Sequence, residues 1–198
     1  MIFEFGCFGT LKQHCDRGDR VYEVILTAGE LGGDPRVRKK EARAAAKLIG
    51  ATIHFGNFPD GNMRDDQKTT GFIESLIRVV KADIIYTHSR ADRHQDHRHA
   101  GYASVSAARF VNEVYEYETP SVVGAFSPRL FVDVTDGMDV KIAGLGCHVS
   151  QTEKQYRDYP AVTGLAKYRA FQAGMHDRMA EAFEVVRLVK WPKTNSVG

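Results

Sequence analysis

Hydrophobic and polar positions alternate between two kinds of pattern along the first half of the chain. The stretch "RVYEVILTAG" (20–29) is apolar and β-branched, the composition of a buried strand. "PRVRKKEARAAAKLIGA" (35–51) follows, with Asp34 before Pro35 as an N-cap and first-turn pair and Gly50 near its end, which predicts a helix. "TIHFGNF" (52–58) is a second short strand. Phe72, Ile73, Leu76, Ile77 and Val80 then recur at helical spacing, and "DIIYTHS" (83–89) returns to strand character. The order is βαβαβ.

Right-handed crossovers place such strands in one parallel sheet with helices on both faces, and sheets of this kind bind ligands beyond the carboxyl ends of their strands. Those ends carry "TAGELGGD", "GNFPDGN" and "THSRADRHQDH". The second half is less regular. "RLFVDVT" (129–135) reads as a strand, "VKIAGLGCHVSQ" (140–151) as a helix weakened by glycines, and "LAKYRAFQAGMHDRMAEAFEVV" (165–186) as a longer helix running into a final strand. The fold class is therefore α/β.

Composition narrows the functional classes. At 198 residues and 43% hydrophobic, the chain suits one domain spanning 1–198. Its 27 basic and 25 acidic residues leave a net charge of +2 with no basic tail or stripe, which argues against nucleic acid or an anionic membrane and for a small polar substrate. No apolar run approaches the ~20 residues of a membrane span, and the first residues lack a signal pattern, so a cytoplasmic protein is expected. Cys7, Cys15 and Cys147 are odd in number and form no C-x-x-C pair, which disfavours a disulfide framework or a cysteine-rich zinc site.

The densest chemistry lies in "ADRHQDHRHAG" (91–101). His94 and His97 are three apart and share a face at a helix start, with Asp96 in reach of a neighbouring imidazole. One histidine could bind a divalent metal while the other moves a proton, since a carboxylate on an imidazole fixes its tautomer and raises its basicity. The plain alternative is a solvated, charged helix start. Glu30 sits among glycines after the first strand, where backbone can approach a ligand, or where a strand merely turns into a helix. "FPDGNM" can be a simple turn, and Arg38 with Glu41 a surface ion pair. His54 and His176 read as structural.

Several segments taken together resemble the PIG-L/LmbE-like family of metal-dependent N-deacetylases. They are "VILTAGELGGDPRVRKKEARAAAKLIGA", "NFPDGNM", "THSRADRHQDHRHAG", "RLFVDVT" with "KIAGLGCHVSQ", and the late "MAEAFEVVR", in order and over nearly the whole chain. The resemblance implies a Rossmann-like three-layer α/β/α fold with a mostly parallel sheet. It implies zinc or another divalent metal, and removal of the acetyl group from an N-acetylglucosamine unit or related amide, metal-activated water attacking the amide. By position, His97 is implied as a metal ligand. His94 would stabilise the oxyanion and serve the leaving amine, and Asp96 would orient the pair. Glu30, Arg38 and Asp60 fall where relatives contact the sugar, and His88, Asp92 and His148 would support the site.

The family's His-Pro-Asp-Asp motif ends its first strand, and here Met1 and Ile2 fall where its aspartates belong. The resemblance then leaves His97 as the one carried-over ligand, with Glu4, His88 or Asp92 as conceivable replacements. Losing that strand would leave unpaired backbone on its neighbours, and self-association is a possible consequence. Two expectations follow: a chain that begins downstream of the family's usual start, its complete form an ordinary deacetylase, or a catalytically impaired sugar-binding member. A third reading is a metal-dependent amidase on a non-sugar substrate.

Overall fold

The computed structural model describes residues 3–124, 126–151 and 158–190. Two short helices, α1 (Phe3–Gly6) and α2 (Phe8–Asp16), lead into β1 (Tyr22–Thr27), α3 (Pro35–Ile49), β2 (Thr52–Phe58), α4 (Gln67–Val80), β3 (Ile84–His88) and α5 (Gln95–Ala107). The predicted βαβαβ order is therefore present. Asp34 caps α3 by accepting from the Arg36 amide at 2.8 Å, Pro35 opens it, and Gly50 closes it at φ 80°, a left-handed geometry that glycine adopts without strain.

The second half comprises β4 (Glu113–Tyr117), β5 (Leu130–Asp133), α6 (Met138–Gly146), α7 (Tyr159–Gln172) and β6 (Ala180–Leu188). The glycines expected to weaken α6 serve its packing: a Cβ on Gly144 would lie 2.5 Å from the Phe8 ring, so the bare backbone lets α6 press on α2. The helix expected to run into a final strand over 165–186 is present as α7 followed by β6. α7 starts earlier, on an Asp158 cap, and stops at Gln172 because Gly174 turns the chain at φ 72° before β6. β4, "EVYEY", is a strand the hydrophobic pattern did not announce. Its glutamates are covered by partners, Glu116 meeting Arg90 at 2.5 Å and Glu113 accepting from the Tyr115 hydroxyl at 2.6 Å.

The single parallel sheet expected for β1 to β3 is corrected: among the described residues the strands form two sheets, because β1 and β3 do not pair. β1 and β2 pair in parallel, while the other sheet runs β3-β4-β6-β5, with β3 and β4 parallel and β6 antiparallel to both of its neighbours. Along β4 the period-two alternation sends Tyr115 and Tyr117 to Cys7 and Leu11 of the α1–α2 layer, and Val114 to Ala108 and Val111 after α5. α4 and α5 pack together on that second face, around Ile73, Ala103 and Ala107. This is the expected α/β arrangement of helices on both sides of the strands.

Among the described residues β1 has β2 as its one strand partner and β3 has β4, so each keeps an unpaired edge. Both edges line one cavity of about 910 Å³, walled by Phe3, Cys7 and Leu11 on one side and Ile73, Ile77 and Ala100 on the other. The open end of this slot, at the carboxyl ends of β1 and β3, is where the histidines gather.

Candidate active site

Three imidazoles stack at that end. His88, the last residue of β3, lies face to face with His97 on the first turn of α5, ring centroids 4.4 Å apart and planes 6° apart. His94 covers the other face of His97 at 4.2 Å and 19°. His94 occupies the N-cap position of α5 yet makes no side-chain capping bond, so its imidazole is left for the cavity.

Asp92 organises this stack. Its Oδ2 meets His97 Nδ1 at 3.0 Å and accepts from the Thr119 hydroxyl at 2.6 Å, and its Oδ1 accepts from the His94 amide at 2.8 Å. The carboxyl group is buried, which opposes ionisation, but these hydrogen bonds outweigh burial and hold it well below the usual carboxylate range. With Nδ1 engaged, His97 presents Nε2, the arrangement in which an outer carboxylate fixes a metal-binding imidazole. Burial first and the neighbouring His97 second depress the pKa of His88 strongly and lower that of His94.

His88, Asp92 and His97 each offer a ligand atom within 4.8 Å of the others. Two imidazoles and a carboxylate suit the chemistry of a divalent ion such as zinc, iron or manganese. His88 Nδ1 is buried without a hydrogen-bond partner.

The expected partnership of Asp96 with an imidazole is corrected. Adjacent helix positions do not face each other, and Asp96 instead accepts from the Gly61 amide at 2.7 Å and the Met63 amide at 3.3 Å. It ties the loop after β2 to α5, while Asp92 takes the imidazole. Arg38 and Glu41 also do not pair. Arg38 Nη2 donates to the Gly32 carbonyl at 2.8 Å inside a glycine loop, and Glu41 is buried, accepting from Ser150 at 2.6 and 2.7 Å. Gly29 suits that loop because its φ of 68° is left-handed, a geometry that glycine adopts without strain.

Glu30 and Asp60 are stitched together: Glu30 Oε1 accepts from the Asp60 amide at 2.8 Å, and Asp60 Oδ2 from the Leu31 amide at 3.1 Å. The cavity thus brings together Arg38, Asp60, His88, His94, His97 and His148, with Glu30 reaching it through Asp60. His148 is fully buried and meets Glu4 Oε1 at 2.5 Å, fastening α1 to the segment after α6. Thr119 went unread in the sequence, since nothing local to it signals a carboxylate 27 positions earlier.

Fold and site together define an α/β protein with an imidazole–carboxylate centre at the carboxyl ends of its strands. The chain belongs to the PIG-L family, whose model, described as GlcNAc-PI de-N-acetylase, matches residues 3–108. It is 35% identical over 159 residues to the uncharacterized deacetylase YaiS of Escherichia coli K12, covering 74% of this chain and 84% of that protein. It is 26% identical over 209 residues to 4-oxalmesaconate hydratase of Pseudomonas putida, covering 90% and 79%. The structure of N,N'-diacetylchitobiose deacetylase from Pyrococcus horikoshii superposes with a TM-score of 0.81 at 22% identity, covering 92% of this chain and 79% of that one. That last likeness is one of fold.

Proposed function

We propose that this protein is a metal-dependent hydrolase removing the N-acetyl group from an N-acetylglucosamine-type or related amino-sugar conjugate. The observation that carries the reading is the His88–His97–His94 stack fixed by Asp92 at the mouth of the cavity, in a PIG-L family chain. His97, with His88 beside it and Asp92 behind it, would hold a divalent ion such as zinc. That ion would supply Lewis-acid polarisation of the amide carbonyl.

The chain's own groups account for orientation and proton movement. The guanidinium of Arg38 and the carboxylate of Asp60, held in register by Glu30, line the cavity where sugar hydroxyls would be read. His94 is half in solvent and its lowered pKa keeps it neutral near pH 7, so its N–H can donate to the oxyanion that forms when water attacks. Asp92 and Asp96 already accept two or more hydrogen bonds each, which leaves His94 as the described group placed to take water's proton and pass it to the departing nitrogen. The amide C–N bond breaks, acetate leaves with the water oxygen, and the amine leaves with the proton.

A second reading has one observation in its favour. Neither Asp92 nor Asp96 is free to act as a general base, which suits a sugar-binding protein without turnover. Zinc-loaded protein incubated with N,N'-diacetylchitobiose separates the two. Acetate release abolished by His94→Ala supports hydrolysis, while thermal stabilisation by the sugar with no acetate supports binding alone.

A further inference from the structure

We propose that the outward face of α3 is a docking surface for an anionic lipid bilayer. The proposal rests on the surface of that helix and is independent of the hydrolase reading.

The first observation is charge. α3 carries six arginines and lysines against one acid, Glu41. Glu41 is buried and turned to Ser150, so the helix shows solvent its cations without a carboxylate of its own. Arg38 and Lys39 are engaged, by the Gly32 carbonyl and by Asn57. Arg36, Lys40, Arg43 and Lys47 are exposed, and none of them has an ion pair among the described residues. At about 3.6 residues per turn these four fall in one stripe about 17 Å long. Arg36 with Lys40 and Arg43 with Lys47 are like charges four residues apart, a spacing that works against a helix in water and that an anionic surface relieves.

The second observation is apolar. Val37, Ala44 and Leu48 form another exposed stripe beside the cations, Val37 at 42% and Leu48 at 45% exposure. Val149, next to the Ser150 that donates to Glu41, adds an exposed apolar side chain at that flank. A cationic stripe with an apolar one along it is the division of an interfacial helix: the charged heads reach lipid phosphates while the apolar flank enters the headgroup layer. A soluble polyanion would use the cations and leave the apolar stripe in water, so the two stripes together select the bilayer.

The expectation of no basic stripe is thereby corrected for this helix. The chain-wide balance of 27 basic and 25 acidic residues conceals it, because the one acid of α3 faces inward.

The test sediments the 198-residue chain with vesicles of phosphatidylcholine alone, and of phosphatidylcholine in which about one lipid in three is phosphatidylglycerol. Binding to the anionic vesicles alone is expected, weakened at least about tenfold in molar salt, which screens exposed charges. Lys40→Gln with Lys47→Gln should cost about tenfold or more in affinity. Lys167→Gln with Arg178→Gln, which removes the same charge from exposed positions elsewhere, should bind as the parent does. Leu48→Ser should weaken vesicle binding and leave retention on heparin unchanged. The lipid and salt arms use the parent and decide the proposal even if a variant unfolds. Equal binding to neutral vesicles, an equal loss in the control pair, or vesicle binding untouched by the Lys40 and Lys47 changes or by Leu48→Ser overturns it. Retention on heparin or single-stranded RNA without binding to anionic vesicles also overturns it, by assigning the stripe to a soluble polyanion. Because no turnover is read, failure here leaves the hydrolase reading standing, and failure of acetate release leaves this one standing.

Discussion

Asp92 shows how a site of five or six side chains depends on one buried group. Its carboxylate holds His97 by Nδ1, anchors the start of α5 through the His94 amide, and is itself held by Thr119. Asp92→Asn is expected to keep the size of the side chain but to weaken zinc binding by about 10- to 100-fold, as losses of outer carboxylates do. Competition against a chelating dye measures this, and an unchanged affinity would remove Asp92 from behind the metal. Glu23 makes a prediction of opposite kind. Its pKa is 4.5 in the unfolded reference and about 8 when folded, so the folded protein holds its proton longer and stability falls as pH rises from about 4.5 to about 8. Glu23→Gln lacks that loss. Its advantage over the parent, on the order of a few kcal/mol, should be present in denaturant unfolding above about pH 8 and gone near pH 4. The reverse trend would mean that Glu23 is paired.

At this scale the sequence was partly readable. His94 and His97 stood out because helical spacing places them together, and local spacing is what a sequence displays. The resemblance gives Asp92 a supporting place, but its role over Asp96 depends on side-chain direction at the first turn. Thr119 depended on a chain path that joins the end of β4 to β3, which no local pattern reveals.

At the scale of elements, the site exists because α5 lies close against the end of β3. Gly101 makes that approach possible: a Cβ there would fall 2.6 Å from the His88 carbonyl oxygen, which belongs to backbone and cannot swing away. Gly101→Ala should push α5 from β3 and lower stability by about 1–3 kcal/mol, while separating His97 from His88. Thermal unfolding measures the first effect and zinc affinity the second. A variant of unchanged stability and metal binding would show that the helix position does not matter. Elements with a clean period were legible, α3 and α4 by their apolar spacing and caps, β1 to β3 by apolar runs. β4 was not, because a buried strand bearing Glu113 and Glu116 reads as polar until Arg90 and Tyr115 are known to cover them. The boundary between α7 and β6 is not legible, because Gly174 sits amid residues that still carry helical character.

At the scale of the whole molecule, β1–β2 and the four-stranded sheet are held side by side by shared helix layers, with a slot where strand pairing stops. The sequence did not foretell that Glu23 is buried, since a glutamate in an apolar run gives no sign of its surroundings. Among the described residues no helix is long and apolar enough to cross a membrane. The cavity's mouth collects residues from the ends of β1, β2 and β3, so substrate contact and chemistry depend on both sheets keeping their places.

Acetate release is the most direct test of the proposed chemistry. Zinc-loaded protein would be incubated with N,N'-diacetylchitobiose and with N-acetylglucosamine, and acetate followed by proton NMR in the parent and in His94→Ala. Release from at least one of these sugars, lost on chelation and reduced by about 100-fold or more in His94→Ala, is the predicted result. A protein that binds zinc and sugar yet liberates no acetate would contradict the hydrolase and leave a binding protein in its place.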